Sequence, residues 1–99
     1  MMDERRSAVR LRTRIDSRWE TLRTQGDGLT SDVSVTGCFI LSGGDVFPHE
    51  LVKLDLILPE QVRTVWGYVV YLIPEMGFAL RFVESQDEVA AVLNSITSR

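Results

Sequence analysis

An acid, a hydroxyl and a glycine are closely spaced in the stretch DVSVTG, as Asp32, Ser34 and Gly37. Side chains two apart on a strand share a face, so we expect Asp32 and Ser34 to stand together on the outer surface. A carboxylate accepts two adjacent hydrogen bonds and a hydroxyl both donates and accepts, which suits the Watson–Crick edge of guanine. Gly37 permits a bend or a close backbone approach. The pattern alone also fits an Asx-type turn that opens a strand, with Ser34 in solvent.

Arginines are concentrated at the start of the chain, where RRSAVR contains Arg5, Arg6 and Arg10. Guanidinium groups bind phosphate bidentately, contact guanine O6 and N7 as a fork, and stack on bases. The first 23 residues hold seven of the eleven basic residues but only four of the fourteen acids. This asymmetry indicates a leading segment that meets an anion, although pairing with the acidic remainder of the chain explains it equally well.

Most of the chain is predicted to form β-strands, which would hold these side chains in place. Apolar and charged residues alternate from Val9 to Thr21, which predicts a half-buried strand. A helix there would align arginines of like charge four residues apart. Gly26–Gly28 predicts a turn. In the following strand the inward face is expected to hold Val33, Val35, Phe39 and Leu41.

Three further strands and a helix complete the prediction. Alternation or β-favouring runs predict strands over residues 51–58, 62–73 and 78–83, with Arg81 facing away from Phe78, Leu80 and Phe82. The tail changes to a helical period over 86–97, and Ser85 and Glu88 match a capping box. The pattern therefore predicts a mainly β fold, in which five or six short antiparallel strands close into a small barrel followed by a C-terminal α-helix. Residues 1–99 read as one domain, with an arm (1–10), a barrel (11–84) and the helix (86–97).

The arginine motif, the DVSVTG motif and this strand pattern together resemble the PilZ domain family. DVSVTGCFI is similar to the family's motif strand, LVKLDLILPE to the next strand, and VWGYVVYLIPEMGFALRF to the closing hairpin. The resemblance spans essentially the whole chain. It implies a small closed six-stranded antiparallel barrel of bacterial type, with a C-terminal α-helix, that binds cyclic di-GMP.

The resemblance also implies which residues bind that ligand. Carried over position by position, they are Arg5, Arg6, Arg10, Asp32, Ser34 and Gly37, with Tyr71 as a looser match. Arg6 and Arg10 correspond to the arginines that grip guanine and phosphate. Arg5 corresponds to the extra arginine of members that bind an intercalated ligand pair, so one or two molecules per chain are expected. Whether Arg12 or Arg14 also touches ligand is left open.

The implied function is that of a ligand-gated adaptor. An arm that is loose without ligand becomes ordered on binding, which creates or hides a surface for an unidentified downstream protein. No other cofactor, no metal and no membrane insertion are expected, and homodimerisation is left open. The lone Cys38, the absence of a long apolar run and the charged N-terminus together predict a soluble cytoplasmic protein.

Three other functions compete with this one. Catalysis by Cys38 and His49 is disfavoured, because no catalytic motif surrounds them. A single-stranded nucleic-acid binder could stack bases on Trp66, Tyr68 and Tyr71, but the chain beyond the arm is acidic and these aromatics are expected in the core. A PilZ-like protein-interaction module that binds no nucleotide remains the third alternative.

Overall fold

The computed structural model describes residues 11–97. The predicted arm, with Arg5, Arg6 and Arg10, lies outside the described residues. The elements are β1 (Ile15–Glu20), β2 (Gln25–Val33), β3 (Gly37–Leu41), β4 (Leu51–Ile57), β5 (Val62–Ile73), β6 (Gly77–Phe82) and α1 (Gln86–Thr97).

Within residues 11–97, six antiparallel strands close into a barrel in the order β1-β2-β3-β6-β5-β4, with β4 pairing back to β1. The fold class predicted from the sequence is confirmed. Closure gives each of the short strands two neighbours and leaves no open sheet edge. Strand β3 pairs with β6 rather than with β4, the next strand in the sequence. The motif strand β3 therefore lies beside the closing hairpin of β5 and β6.

The barrel interior is filled by the inward half of each alternating strand. Trp19 is fully buried, and its ring meets Phe78 edge-on with centroids 5.3 Å apart. Each such large apolar side chain contributes about 1.5–3 kcal/mol of burial free energy. The core also includes Ile15, Val33, Cys38, Ile40, Val46, Val52, Leu54, Leu56, Val65, Val69, Leu80 and Val92.

The first hairpin differs from its prediction. Gly26–Gly28 is not a turn but part of β2, where it pairs with β1. The turn lies at residues 21–24, where the Thr21 hydroxyl accepts hydrogen bonds from the backbone N–H groups of Arg23 and Thr24. The two glycines serve packing, because a Cβ atom at Gly26 would lie 2.7 Å from the Trp19 indole. Regular pairing in β1 starts at Ile15 rather than Val9, although Leu11 forms an isolated bridge with Val33.

The predicted inward face of the motif strand is correct for Val33, which is buried, but wrong for Phe39 and Leu41. Residues 33–41 are not one strand, because β2 ends at Val33 and β3 begins at Gly37. The intervening turn changes the phase of the alternation. Cys38 and Ile40 therefore point into the core, while Phe39 and Leu41 are only half-buried on the other face.

The C-terminal helix begins with the predicted capping box. The Ser85 N–H donates to the Glu88 carboxylate at 2.9 Å, and the Glu88 N–H donates to the Ser85 hydroxyl at 3.2 Å. Val92 belongs to the barrel core, and Leu93 and Ile96 pack against it. Arg63 of β5 hydrogen-bonds Ser95 and ties the helix to the barrel wall. Among residues 11–97, no helix has the length and apolar character needed to cross a membrane.

Candidate functional site

A cleft of about 290 Å³ lies on the outer wall of the barrel where β3, β6 and β5 run side by side. Four of the predicted binding residues, Asp32, Ser34, Gly37 and Tyr71, line this one cleft, although Tyr71 is distant in the sequence from the other three. Its other lining residues are Thr36, Cys38, Phe39, Val70, Ala79, Leu80 and Arg81.

Asp32 reaches the cleft because β2 contains a β-bulge. Ser31 pairs with Phe39 and Val33 pairs with the next residue, Cys38, so Asp32 is left unpaired between them. Thr30 points into the core, and strict alternation would turn Asp32 inward as well. The bulge instead turns Val33 inward and Asp32 towards the cleft. Its φ of 20° is positive, which aspartate tolerates better than most residues.

The spacing predicted that Ser34 stands beside Asp32 on an exposed strand face, and this prediction is wrong. It is 7% exposed, and its hydroxyl bonds the Thr36 hydroxyl at 3.0 Å and accepts from the Thr36 N–H at 3.2 Å. The Ser34 N–H donates to the Gly37 carbonyl oxygen at 2.9 Å. Ser34 therefore shapes the turn between β2 and β3 and contributes a mostly buried hydroxyl to the cleft wall.

Gly37 is required where β3 meets β6. A Cβ atom at this position would collide with the carbonyl oxygen of Leu80 on β6. The sequence allowed either a bend or a close backbone approach at Gly37. The structure shows a close approach, to the backbone of β6. The close contact draws the motif turn against the strand that carries Arg81, the cross-strand partner of Gly37.

A second bulge brings Tyr71 to the cleft. Val69 pairs with Leu80 and Tyr71 with the preceding residue, Ala79, so Val70 is unpaired. Val65 and Val69 point inward, and strict alternation would bury Tyr71 too. The bulge leaves Tyr71 51% exposed on the outer face. Its ring lies 6.3 Å from that of Phe39, with the ring planes 38° apart.

Sequence reasoning did not include Arg81 in the site. The alternation of β6 indicated that Arg81 faces outward, but any exposed charge gives this signal. Arg81 lines the cleft because it pairs with Gly37, and the sequence of β6 alone does not reveal this pairing. Within residues 11–97, the side chains of Asp32 and Arg81 form no hydrogen bond or ion pair with one another or with other residues. The cleft thus presents one acid and one guanidinium that are both available to a ligand.

Burial disfavours a nucleophilic role for the thiol in the cleft wall. Cys38 is buried, and burial raises the pKa of its thiol well above the ordinary value, so it stays protonated at neutral pH. His49 is exposed in the connection between β3 and β4, outside the cleft. Across the described part of the chain, no three His, Cys, Asp or Glu side chains are grouped closely enough to hold a metal ion.

The chain enters the barrel beside this site. The Leu11 N–H donates to the Val33 carbonyl oxygen at 2.7 Å, and the Val33 N–H donates to the Leu11 carbonyl oxygen at 2.9 Å. Leu11 is thereby fixed next to the residue that separates Asp32 from Ser34. Arg12 and Arg14 are exposed and do not line the cleft. Arg14 instead borders a hollow near the C-terminal end of α1, with Ser95 and Ile96.

The aromatic residues of β5 are not core residues, contrary to the expectation from the sequence. Trp66, Tyr68 and Tyr71 are 40%, 48% and 51% exposed. They occupy the outward positions of β5, while Val65, Gly67 and Val69 occupy the inward ones. Only Tyr71 of the three lines the cleft.

Comparison with known proteins agrees with this architecture. The sequence profile of the PilZ domain matches residues 4–98. The crystal structure of the PilZ domain of CeSA from a cellulose-synthesizing bacterium superposes with a TM-score of 0.71 at 12% identity, covering 92% of this chain and 97% of that one. The Bacillus subtilis inhibitor of motility MotI/DgrA superposes with a TM-score of 0.61 at 19% identity, covering 98% of this chain and 54% of that one. No curated protein matches the sequence significantly.

Proposed function

The chain belongs to the PilZ domain family, and on that premise we propose that it binds cyclic di-GMP and acts as a ligand-gated adaptor rather than as an enzyme. The observation that carries the proposal is the convergence of Asp32, Ser34, Gly37 and Tyr71 on one cleft.

The chemistry of the cleft suits a guanine base. The unpaired carboxylate of Asp32 accepts the two adjacent hydrogen bonds that guanine N1–H and its exocyclic amine offer. Arg81 supplies a positive charge for phosphate or for the acceptor edge of guanine. At about 290 Å³ the cleft lies at the lower limit of small-molecule sites, which are roughly 300–1,000 Å³. It therefore takes part of a cyclic dinucleotide and leaves the remainder outside.

The leading arginines are the candidates to hold that remainder. Arg10 directly precedes Leu11, and Arg5 lies six residues before it. Because an extended chain spans about 3.3–3.6 Å per residue, all three predicted arginines are attached within roughly 20 Å of Leu11, which pairs with Val33 beside the cleft. We assign Arg6 and Arg10 to guanine and phosphate. Arg5 would hold a second ligand molecule if two bind per chain.

Ligand binding would then act on a partner through the arm. Fixing several arm residues costs roughly 1–2 kcal/mol of backbone entropy for each, which the contacts to phosphate and guanine must exceed. The ordered arm changes the surface around Leu11 and the cleft, where a downstream protein could bind only one of the two states. MotI/DgrA is described as an inhibitor of motility, which fits an adaptor of this kind.

A protein-interaction module without nucleotide binding is the second candidate. It is favoured by exposed apolar side chains away from the cleft, where Trp66 and Leu51 are 40% and 42% exposed and Leu22 is fully exposed. The unpaired Asp32 and Arg81 favour the ligand-binding function instead, since a surface for protein contact alone does not require them.

Titration calorimetry with cyclic di-GMP tests the proposal. We expect saturable binding by the parent chain, with one or two ligands per chain. Arg6→Ala, Arg10→Ala and Asp32→Asn should each weaken binding about 10- to 150-fold, the effect of losing one charged hydrogen bond. Asp27→Asn is the matched control, because Asp27 is an exposed acid on the same strand that pairs with Arg18. Equal affinity for all of these proteins, or no binding by the parent, would exclude the assignment.

A further inference from the structure

We infer that a second copy of this chain binds at a hollow between the β1–β2 turn and the outer wall of β4 and β5, and that Leu22 of each copy inserts into the hollow of the other. The hollow has a volume of about 210 Å³ and is lined by Glu20, Thr21, Leu22, Glu50, Leu51, Lys53 and Trp66. None of these residues lines the cleft assigned to cyclic di-GMP. The contact between copies is therefore separate from ligand binding.

Leu22 stands fully exposed in the turn between β1 and β2. Turns favour glycine, proline and small polar residues, and a leucine in solvent contributes no burial free energy to the folded chain. Two more apolar side chains, Leu51 and Trp66, line the hollow with it and are 42% and 40% exposed. Single exposed apolar residues are common on protein surfaces, whereas a contiguous apolar surface indicates an interaction site.

The turn that carries Leu22 is fixed to the wall of the hollow. Arg23 donates to both carboxylate oxygens of Glu50, at 2.7 and 3.0 Å, and to the carbonyl oxygen of Asp45 at 3.1 Å. Its guanidinium carbon also lies 4.1 Å from the centroid of the Phe47 ring. Because Glu50 lines the hollow, these contacts hold the exposed leucine and the hollow in a fixed relation. A contact preorganised in this way loses less conformational entropy when a partner binds.

The shape of this region is complementary to itself, because a fully exposed leucine lies next to an apolar hollow. An apolar cavity of about 150 Å³ holds a benzene ring, so a hollow of about 210 Å³ has room for a leucine side chain. In a two-fold dimer the same surface faces itself, so each copy inserts one leucine and receives another. The two copies then cover both hollows.

The charges at the hollow are also complementary to themselves. Glu20 and Lys53 are cross-strand neighbours on β1 and β4, and both line the hollow. Within residues 11–97, neither side chain forms an ion pair or a hydrogen bond. A partner of one sign would be attracted by one of them and repelled by the other. A two-fold axis instead brings Lys53 of each copy to Glu20 of the other, which fixes orientation more than it adds affinity.

Sedimentation velocity of the ligand-free chain tests this inference. The contact is smaller than the roughly 800 Å² per partner of a standard interface, so we expect a reversible dimer that forms between about 1 and 200 μM. Leu22→Ser should weaken dimerisation at least about 10-fold, since each dimer loses two buried leucines. Met76→Ser is the matched control, because Met76 is 50% exposed in the turn between β5 and β6 and does not line the hollow.

An exchange of charges tests the two-fold arrangement. Glu20→Lys alone and Lys53→Glu alone should each stay monomeric, because like charges then face each other twice across the interface. An equimolar mixture of these two variants should dimerise, because every facing pair is again opposite in charge. Circular-dichroism melts verify that each variant is folded.

Three outcomes would overturn the inference. A parent that stays monomeric throughout this range would leave the hollow to a different protein. Folded Leu22→Ser that dimerises as strongly as the parent would show that the leucine is not inserted. A mixture of the charge variants that associates no more strongly than either alone would exclude the two-fold contact. Because no ligand is present, none of these results bears on cyclic di-GMP binding.

Discussion

Asp32 in β2 and Val70 in β5 each occupy a β-bulge, and both line the same cleft. Each bulge shifts the alternation of its strand by one residue. In β2 the shift turns Asp32 out of the barrel, and in β5 it turns Tyr71 out. Two local departures from regular pairing thus create a polar and aromatic site on a wall that strict alternation would have left without either group.

Gly37→Ala should destabilise the barrel. The new Cβ would meet the Leu80 carbonyl oxygen, so β3 and β6 would have to separate, which we expect to cost about 1–3 kcal/mol. Urea denaturation measures the change in the free energy of unfolding. Gly43→Ala is the matched control, because a Cβ atom there meets no atom within 4 Å. Equal stability of both variants would show that β3 and β6 do not approach so closely.

Arg81→Gln should weaken cyclic di-GMP binding and reduce its dependence on salt. The side chain is exposed in the cleft wall without a partner among residues 11–97, so its charge is free to meet phosphate. Loss of a charged hydrogen bond corresponds to about 1.5–3 kcal/mol. Titrations at low and high ionic strength measure both effects. Arg18→Gln, on β1 and paired with Asp27, should behave like the parent. An unchanged salt dependence in Arg81→Gln would remove this residue from the site.

Glu50→Gln should lower the thermal midpoint at pH 7 but not at low pH. Arg23 donates to both Glu50 carboxylate oxygens, at 2.7 and 3.0 Å, and these bonds, followed by that from the Phe47 N–H, lower the pKa of Glu50. A depressed pKa stabilises the fold above the ordinary glutamate value of about 4.3, and this contribution disappears as the pH falls through the folded-state value.

Thermal melts of parent and Glu50→Gln between pH 3 and pH 7 measure that difference. The two midpoints should converge towards pH 3. Glu60→Gln, an exposed glutamate in the connection between β4 and β5, should match the parent throughout. A gap between parent and Glu50→Gln that stays constant with pH would mean that the ion pair to Arg23 is not its cause.

Much of the fold could be predicted because local signals agreed with the tertiary structure. The alternation in β4 and the capping box of α1 gave their positions within a residue or two. The resemblance to the PilZ motif also grouped Asp32, Ser34 and Gly37, and all three line one cleft. These features are encoded within short stretches of chain, so a single sequence is sufficient to find them.

The bulges and Arg81 could not be predicted in this way. A bulge is defined by which residue lacks a cross-strand partner, and the register that decides this is a property of two strands. Arg81 enters the cleft only through its pairing with Gly37, far away in the sequence. Trp66 and Tyr68 were expected inside because of their residue type, but their phase against Val65 and Val69 puts them outside. The alternation of β5 therefore predicts the exposure of these two side chains better than their hydrophobicity does.

Amide chemical-shift mapping shows whether cyclic di-GMP binds at this cleft. On titration of the ¹⁵N-labelled chain, the largest saturable shifts should fall on residues 32–37, Tyr71, Ala79 and Arg81, with the arginine arm responding in parallel. Shifts centred on Lys53 and Trp66 would place the ligand on another face of the barrel, and the absence of saturable shifts would exclude binding.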